Sequence, residues 1–402
     1  MKTWKLSPID LFTLGMTIKG AWVYEKMPEP EKLKSALAKI ATTYPYLTGK
    51  YDPETKAVIW EDTAVGTIPF EEINAQGHRV ADVCGNPRLA WSLVKPYDAK
   101  GFKSGKAQPF TVALAKLSDG VALYVQAAHA LMDAATFYRV VGQWAELSKG
   151  ADITPMILDQ SLLPSPDAWS KEETIARVIE QGWVKIGGKQ ALKMLWNLAK
   201  NNAVKETVSI EVPQEEIAAL RKESGAGTHG VLSAIAAQKL YAQLPKHKSF
   251  KYITVVDMRD RFKGIDADFM GNISQAYQIG GDYELSQSVG SLAAEIASET
   301  KRFVTSEAPE EMLRLSVCAS GYRLPYFLFD PSDMNNSNPG TIYINNLLKF
   351  RACEIDWGFG LPTYAFPNDL TDMVKFWQPV AGGPIQIIYS GLAAKIIRRF
   401  LR

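Results

Sequence analysis

The chain has 402 residues, of which 47% are hydrophobic, 22% charged and 10% aromatic, a composition that supports sizeable cores and excludes a disordered, collagen-like or disulfide-dense protein. Its 45 basic and 43 acidic residues leave a net charge of +2 and are scattered along the sequence, which excludes the long-range field of a nucleic-acid-binding protein. The length exceeds what one ordinary core organises and predicts two lobes of about two hundred residues each.

In chain order, Leu33, Leu37, Ile40 and Tyr44 recur at helical spacing behind the proline-bearing, acidic entry Pro28 to Glu31, and Pro45 ends the predicted helix. Two β-like runs, Phe110 to Leu117 and Val121 to Ala128, flank Ser118-Asp119-Gly120, which is hairpin-turn chemistry. Alternation puts Val121, Leu123, Val125, Ala127 and His129 on one face, so the imidazole leaves the strand's end at a strand-to-helix turn. Phe137, Val140, Val141, Trp144 and Leu147 then keep one apolar helical face from Asp133 to about Ser148, and Gly150 stops it.

Leu163 to Asp167 reads as a lobe exit, and Ser170 to Asn202 as one or two helices interrupted at Gly187-Gly188. The predicted organisation is therefore a first lobe over 1–165, a crossover over 166–205 and a second lobe over 206–402. The second lobe opens with a strand near Thr207 to Val212, followed by helices at Pro213 to Glu223, Thr228 to Leu244 and Ser286 to Val304. Further strands are expected at Phe250 to Asp257, Gly340 to Asn345 and Pro384 to Ser390, a mixed α/β pattern without strict alternation.

Three cysteines, Cys84, Cys318 and Cys353, are far apart and odd in number, which points away from a disulfide framework or thiolate metal site and toward a reducing compartment, the cytoplasm. No window reaches the roughly 18 to 20 apolar residues of a membrane span, and Met1 to Asp10 lacks a signal peptide's apolar core, so no transmembrane segment is expected. No H-E-x-x-H, paired CxxC or acidic calcium loop is present, so no metal is predicted. Gly225-Ala-Gly227-Thr-His-Gly230 fits a dinucleotide fingerprint literally, but it follows a helical run instead of a strand, and no nucleotide redox cofactor is expected. Thr228 is read there as the N-cap of the following helix. Trp183, Ile186, Leu192, Leu195 and Trp196 interleave with Lys185, Lys189, Lys193 and Lys200, a pattern read as a solvated helix packed on a lobe in preference to an interfacial one.

Only His78, His129, His229 and His247 are available for histidine chemistry, and His129 is the best placed. Taken alone, His129 reads more often as a hydrogen-bonded core histidine than as a catalyst, and Asp133 four residues on reads first as a helix N-cap. The stretch from Pro109 through His129-Ala-Leu-Met-Asp133-Ala134 nevertheless resembles the HxxxD segment of the BAHD acyltransferases, which group with chloramphenicol acetyltransferase and the peptide-synthetase condensation domains. The resemblance extends along the chain in matching order. Leu6-Ser-Pro-Ile-Asp10 looks like the family's opening, Tyr44-Pro-Tyr-Leu-Thr-Gly-Lys50 like the turn after its first helix, and Pro155-Met-Ile-Leu-Asp159-Gln-Ser-Leu-Leu163 like a later stretch. Val256-Asp-Met-Arg259-Asp-Arg261 and Phe269-Met-Gly271-Asn272 are similar to the family's arginine and glycine-asparagine segment, and Asp356-Trp-Gly358-Phe-Gly360 to its DFGWG signature with two aromatics exchanged. Departures are Ala134 in place of the usual glycine, Ala128 where condensation domains carry a further histidine, and Leu347 where many plant members have tryptophan.

This resemblance implies two chloramphenicol acetyltransferase-like lobes, each a mixed sheet with flanking helices, and an active-site tunnel between them. It implies acyl-CoA as co-substrate, a small-molecule acceptor bearing a hydroxyl or amine, and a monomer with no nucleic-acid partner. His129 is expected to act as general base in a ternary complex, since neither motif supplies a serine or cysteine nucleophile. Asp133 is expected to turn away and pair with Arg259, while Asn345 or Asn346 supplies an oxyanion donor, Asn345 being slightly favoured, with loop capping the equal alternative for either asparagine. Asp356, Gly358 and Gly360 are expected to support the site, Thr228, Gly271 and Asn272 to contact CoA, and Thr17, Gly20 and Trp22 to line the acyl or acceptor pocket, although their apolar strand face predicts core packing equally well. The alternatives are a condensation-type enzyme using a carrier-protein thioester and a non-catalytic binding protein of the same fold.

Overall fold

A computed structural model describes residues 1–61, 65–203, 206–327, 340–368 and 373–400, with the side chains of 194, 197, 198, 200–203, 399 and 400 excepted. Two mixed sheets organise it. The first is five-stranded, in the order Tyr364–Phe366, Thr17–Tyr24, Val121–Ala128, Phe110–Lys116, Phe70–Asn74. Its centre is the predicted hairpin, antiparallel and in register from Phe110 opposite Ala127 to Lys116 opposite Val121. Gly120 is obligatory in that turn, because a Cβ there would lie 2.1 Å from the carbonyl oxygen of Tyr24 and 2.5 Å from Val80 Cγ2. The edge strand Tyr364–Phe366 comes from the second half of the chain and pairs antiparallel with Thr17–Tyr24, tying the two halves together.

The second sheet has six strands in the order Ser274–Glu284, Ser249–Asp257, Thr341–Asn346, Val374–Trp377, Ile385–Ser390, Thr207–Val212. Ser249–Asp257, Thr341–Asn346 and Val374–Trp377 run parallel, so their C-terminal ends gather Asp257, Asn345 and Asn346 at one edge. The eleven-residue strand Ser274–Glu284 has no counterpart in the sequence expectations, because a register shift opposite Lys251/Tyr252 and the left-handed Gly280 (φ 67°) break its alternation.

The helices cover these sheets as their apolar stripes dictate. Pro30–Thr43 and Ala134–Ser148 pack together, with Trp144 Nε1 donating to the Leu33 carbonyl at 3.0 Å. Thr228–Tyr241 packs on Val289–Val304, and only a glycine at 230 permits that approach, since a Cβ would come 2.9 Å from the Ala293 carbonyl oxygen. Between the lobes run the helix Lys171–Glu180, the short strand Val184–Lys185 and the helix Gly188–Ala203. Trp183 is buried there, whereas Leu192, Leu195 and Trp196 are exposed, so the last helix does not bury the face formed by these three residues. No helix among the described residues is long and apolar enough to cross a membrane.

Candidate active site

The strand Val121–Ala128 ends where its alternation predicts, and His129 opens a single 3-10 turn, His129–Leu131. Its backbone N–H donates to the Met16 carbonyl at 3.0 Å, and its carbonyl accepts from Asn272 Nδ2 at 2.8 Å and Thr13 Oγ1 at 3.2 Å. The half-buried ring enters a cavity of about 400 Å³ between the two sheets, whose walls include Ala134 from the first lobe and Asn345, Asn346 and Ser274 from the second.

Nδ1 of His129 faces Asn272 Oδ1 at 3.2 Å and its own main-chain carbonyl, both acceptors, so the proton sits on Nδ1. Among the described residues no protein group hydrogen-bonds Nε2. Burial lowers the imidazole pKa below its ordinary 6.5, opposed by the carbonyl, by the Asp133 charge and by Asn272. The ring is therefore neutral at pH 7, with an available lone pair.

Asp133 is both the N-cap of Ala134–Ser148 and an ion-pair partner, so the two readings weighed for it coexist. Its Oδ1 accepts from the Thr136 N–H at 3.0 Å and Arg259 Nη2 at 3.2 Å; its Oδ2 accepts from Arg259 Nη1 at 2.9 Å and Ser274 Oγ at 2.9 Å. Backbone N–H groups of Ile273 and Ser274 complete the set at 3.2 and 3.1 Å. Burial pushes this carboxyl up, but the Arg259 guanidinium and these donors outweigh it and hold it well below the carboxylate range. Arg259 also binds the Thr136 hydroxyl and the Gly271 and Phe269 carbonyls, so the ion pair staples the histidine's turn to the second lobe.

Several residues expected to touch CoA are engaged by protein. The Gly271 carbonyl accepts from Arg259 and Thr136, and its φ of 143° suits glycine, since a Cβ would meet Phe269 Cε1 at 3.1 Å. The Asn272 amide is committed to His129 and Asp10. Thr228 is not the N-cap: Gly227 takes that position with extended backbone and no side-chain cap, because Gly225 closes the preceding helix in the left-handed region two residues earlier. Thr228 is not in the wall of the cavity, but its neighbour His229 reaches Asn346.

Thr17, Gly20 and Trp22 belong to the strand beside the hairpin that ends at His129 and are absent from the cavity wall. Trp22 is wholly buried, its Nε1 donating to the Ala352 carbonyl at 2.8 Å, and Gly20 makes room for its ring, which a Cβ would meet at 2.7 Å. The turn at Asp356 is a scaffold: Asp356 Oδ1 accepts from the N–H groups of Gly358 and Gly360 at 2.7 and 2.8 Å. Trp357 packs edge-on against Trp22, Tyr24 and Trp144, joining this turn to the first lobe.

The two asparagines differ. Asn346 accepts from the Leu348 N–H and donates to His229 Nδ1 at 3.2 Å, while His229 Nε2 contacts the Tyr252 hydroxyl at 2.6 Å. Among the described residues the Asn345 side chain makes no hydrogen bond, leaving its amide available to the cavity. Sequence reasoning gave no role to Asp10, Thr136, Ser274 or His229; only Asp10, inside the Leu6 to Asp10 motif, carried a signal. The three cysteines are free, and burial pushes each thiol up, Cys84 to about 11, which leaves no thiolate nucleophile among them.

Over residues 1–373 the sequence matches the model of the Transferase family. No curated protein sequence matches it significantly. Among solved structures, it is similar to Fusarium TRI101 from F. sporotrichioides, complexed with coenzyme A and T-2, at a TM-score of 0.70 and 15% identity, covering 99% of this chain and 97% of that one. Vinorine synthase superposes at a TM-score of 0.68 and 15% identity, over 98% and 92% of the two chains. The first condensation domain of the calcium-dependent antibiotic synthetase is more distant, at 0.60 and 11%, over 99% and 94%. At these identities the structures establish a common two-lobed, chloramphenicol acetyltransferase-like fold, and the family match carries the rest: the chain belongs to the Transferase family, the BAHD acyltransferases.

Proposed function

We propose that this acyltransferase moves an acyl group from CoA directly onto a hydroxyl or amine, with His129 Nε2 as the base. The observation that carries the reading is the imidazole itself, whose Nδ1 faces acceptors and whose Nε2 has no partner among the described residues, sharing a cavity with the Asn345 amide, which makes no hydrogen bond among them. As the acceptor's lone pair attacks the thioester carbonyl, Nε2 takes its proton. The tetrahedral intermediate then expels the CoA thiolate, which receives that proton, so no covalent acyl-enzyme forms. Base catalysis of this kind contributes roughly 10² to 10⁴ in rate. Negative charge on the carbonyl oxygen is met by the Asn345 amide, while Asp133 and Arg259 stay out of the chemistry and hold the turn.

The cavity's apolar walls, including Phe12, Met16, Trp183 and Phe350, suit an acceptor or acyl group with a nonpolar body. Phe12 and Met16 remain 56% and 41% exposed at this wall. The three free thiols suit a reducing compartment such as the cytoplasm, and the enzyme is expected to act as a monomer. Thiol release from acetyl-CoA and longer acyl-CoAs, followed with a panel of alcohols and amines, tests the reading. His129→Ala is expected to stay folded and lose about a hundredfold or more in turnover; near-wild-type turnover would refute the role. Use of a phosphopantetheinylated carrier protein in place of free CoA esters would favour the condensation-type alternative.

A further inference from the structure

Asp10 is a buried carboxylate, 1% exposed, that the transfer chemistry above does not use. It lies in the short helix Pro8–Phe12, where with Ser7 it forms a capping box. A capping box works equally well in solvent and does not require burial. Its Oδ2 accepts from the Ser7 N–H at 2.8 Å and Gln160 Nε2 at 3.2 Å; its Oδ1 accepts from Asn272 Nδ2 at 3.0 Å. No cation is among these partners, and burial pushes the carboxyl up to about 6. A buried carboxylate left without a cation is costly, which calls for a reason beyond helix capping.

Asn272 supplies one. The two ends of an amide have opposite hydrogen-bonding character, and neighbours decide which end goes where. Nδ2 of Asn272 meets two groups that only accept, the Asp10 carboxylate and the His129 carbonyl. Oδ1 is thereby the end that faces His129 Nδ1. An oxygen at that position requires the imidazole proton on Nδ1, and the lone pair then resides on Nε2, the atom that must receive a proton in the transfer.

We infer that Asp10 is a positioning residue which, through Asn272, holds His129 in the Nδ1-protonated tautomer. The inference rests on the general-base reading of His129. Asp10→Asn keeps the size of the side chain but breaks the logic. Ser7 and Gln160 donate to one side of residue 10 and Asn272 to the other, and an amide oxygen can serve only one side.

The test uses full-length protein labelled with ¹⁵N-histidine, the His129 signals being assigned by their loss in His129→Ala. Wild-type His129 is expected to show a protonated Nδ1 and an unprotonated Nε2. Asp10→Asn is expected to mix in or invert that pattern, and to lower kcat about tenfold or more while changing the KM for acetyl-CoA by less than about threefold. Should Asp10→Asn fail to fold, Asn272→Ala, which leaves the capping box in place, is expected to give the same spectral change. A wild-type ¹⁵N pattern in the folded variant overturns the inference. So does Ser7→Ala, which removes only the hydroxyl of the cap, if it shifts the tautomer as far. An active His129→Ala enzyme would instead sink the base reading, while the tautomer measurement would still decide whether Asp10 orients the ring.

Discussion

Arg259 grips Asp133 with both terminal nitrogens, Nη1 to Oδ2 at 2.9 Å and Nη2 to Oδ1 at 3.2 Å, and both side chains are almost wholly buried. The pair spans the two lobes, so the aspartate of HxxxD acts on the histidine through the backbone: it fixes the turn from which His129 projects.

Arg259→Gln leaves the Asp133 carboxylate buried without its cation, an outcome that typically costs about 3 to 5 kcal/mol. A correspondingly lower urea midpoint is expected, with reduced turnover because the His129 turn loosens. Asp133 contributes stability fully above its unfolded pKa of 3.8 and loses it only as pH falls through the lower folded value. In Arg259→Gln burial is no longer offset by the guanidinium, so the Asp133 carboxyl is raised and takes up a proton in mild acid, and the gap to wild type should narrow as pH falls below neutral. A variant as stable as wild type at pH 7 contradicts the staple.

Asn345→Ala removes the uncommitted amide of the cavity without disturbing any hydrogen bond among the described residues. Loss of one oxyanion donor lowers kcat by about 10² to 10³. The expected signature is a fall in kcat with little change in thermal stability. Asn346→Ala, by contrast, breaks the contacts to His229 and Leu348 and should destabilise the fold. Equal and small effects of the two substitutions on kcat would remove Asn345 from the mechanism.

Gly360 has φ of 111°, where a side chain is strained even though a Cβ would meet nothing within 4 Å. Gly360→Ala is expected to cost about 1 to 3 kcal/mol from backbone strain. Because the turn lies outside the cavity wall, the KM values for acyl-CoA and acceptor should hold in the folded fraction. Chemical denaturation beside steady-state kinetics separates the two effects, and an unchanged unfolding midpoint would show that the turn tolerates a side chain.

How much of this was legible depends on the range of the interaction. The hairpin, the strand end at His129 and the helix after Asp133 follow from alternation, a turn tripeptide and helical spacing, all local signals. The pairing of Asp133 with Arg259, 126 residues apart, came from resemblance, because spacing says nothing about contacts between lobes. Trp22 illustrates the limit: an apolar strand face looks the same whether it lines a pocket or packs on Trp357, and here it packs. Thr228 gives up the N-cap because glycine also caps helices, and Gly227 stands one residue earlier. Asn272 lines the cavity, but an asparagine after glycine carries no sign that its amide is also engaged by His129 and Asp10.

His229 offers a titration that isolates the cavity's second-lobe wall. Burial lowers its pKa from 6.5 to about 4, with Nδ1 accepting from Asn346 and Nε2–H donating to the Tyr252 hydroxyl. A depressed folded pKa means the unfolded chain binds more protons in this window, so the stability from His229 is full above 6.5 and is lost as pH falls through about 4. Asp10 has the opposite sign: raised from 3.8 to about 6, it contributes stability below 3.8 that disappears as pH rises through about 6. The two partly cancel in the wild-type curve, so only a difference between variants resolves either. His229→Gln keeps a polar side chain but removes the titration, and the urea-midpoint gap between it and wild type should shrink steadily as pH is lowered from 6.5 toward 4. A gap that stays constant across that range would mean His229 titrates alike in the folded and unfolded chains, and the hydrogen bonds assigned to its neutral ring would then be wrong.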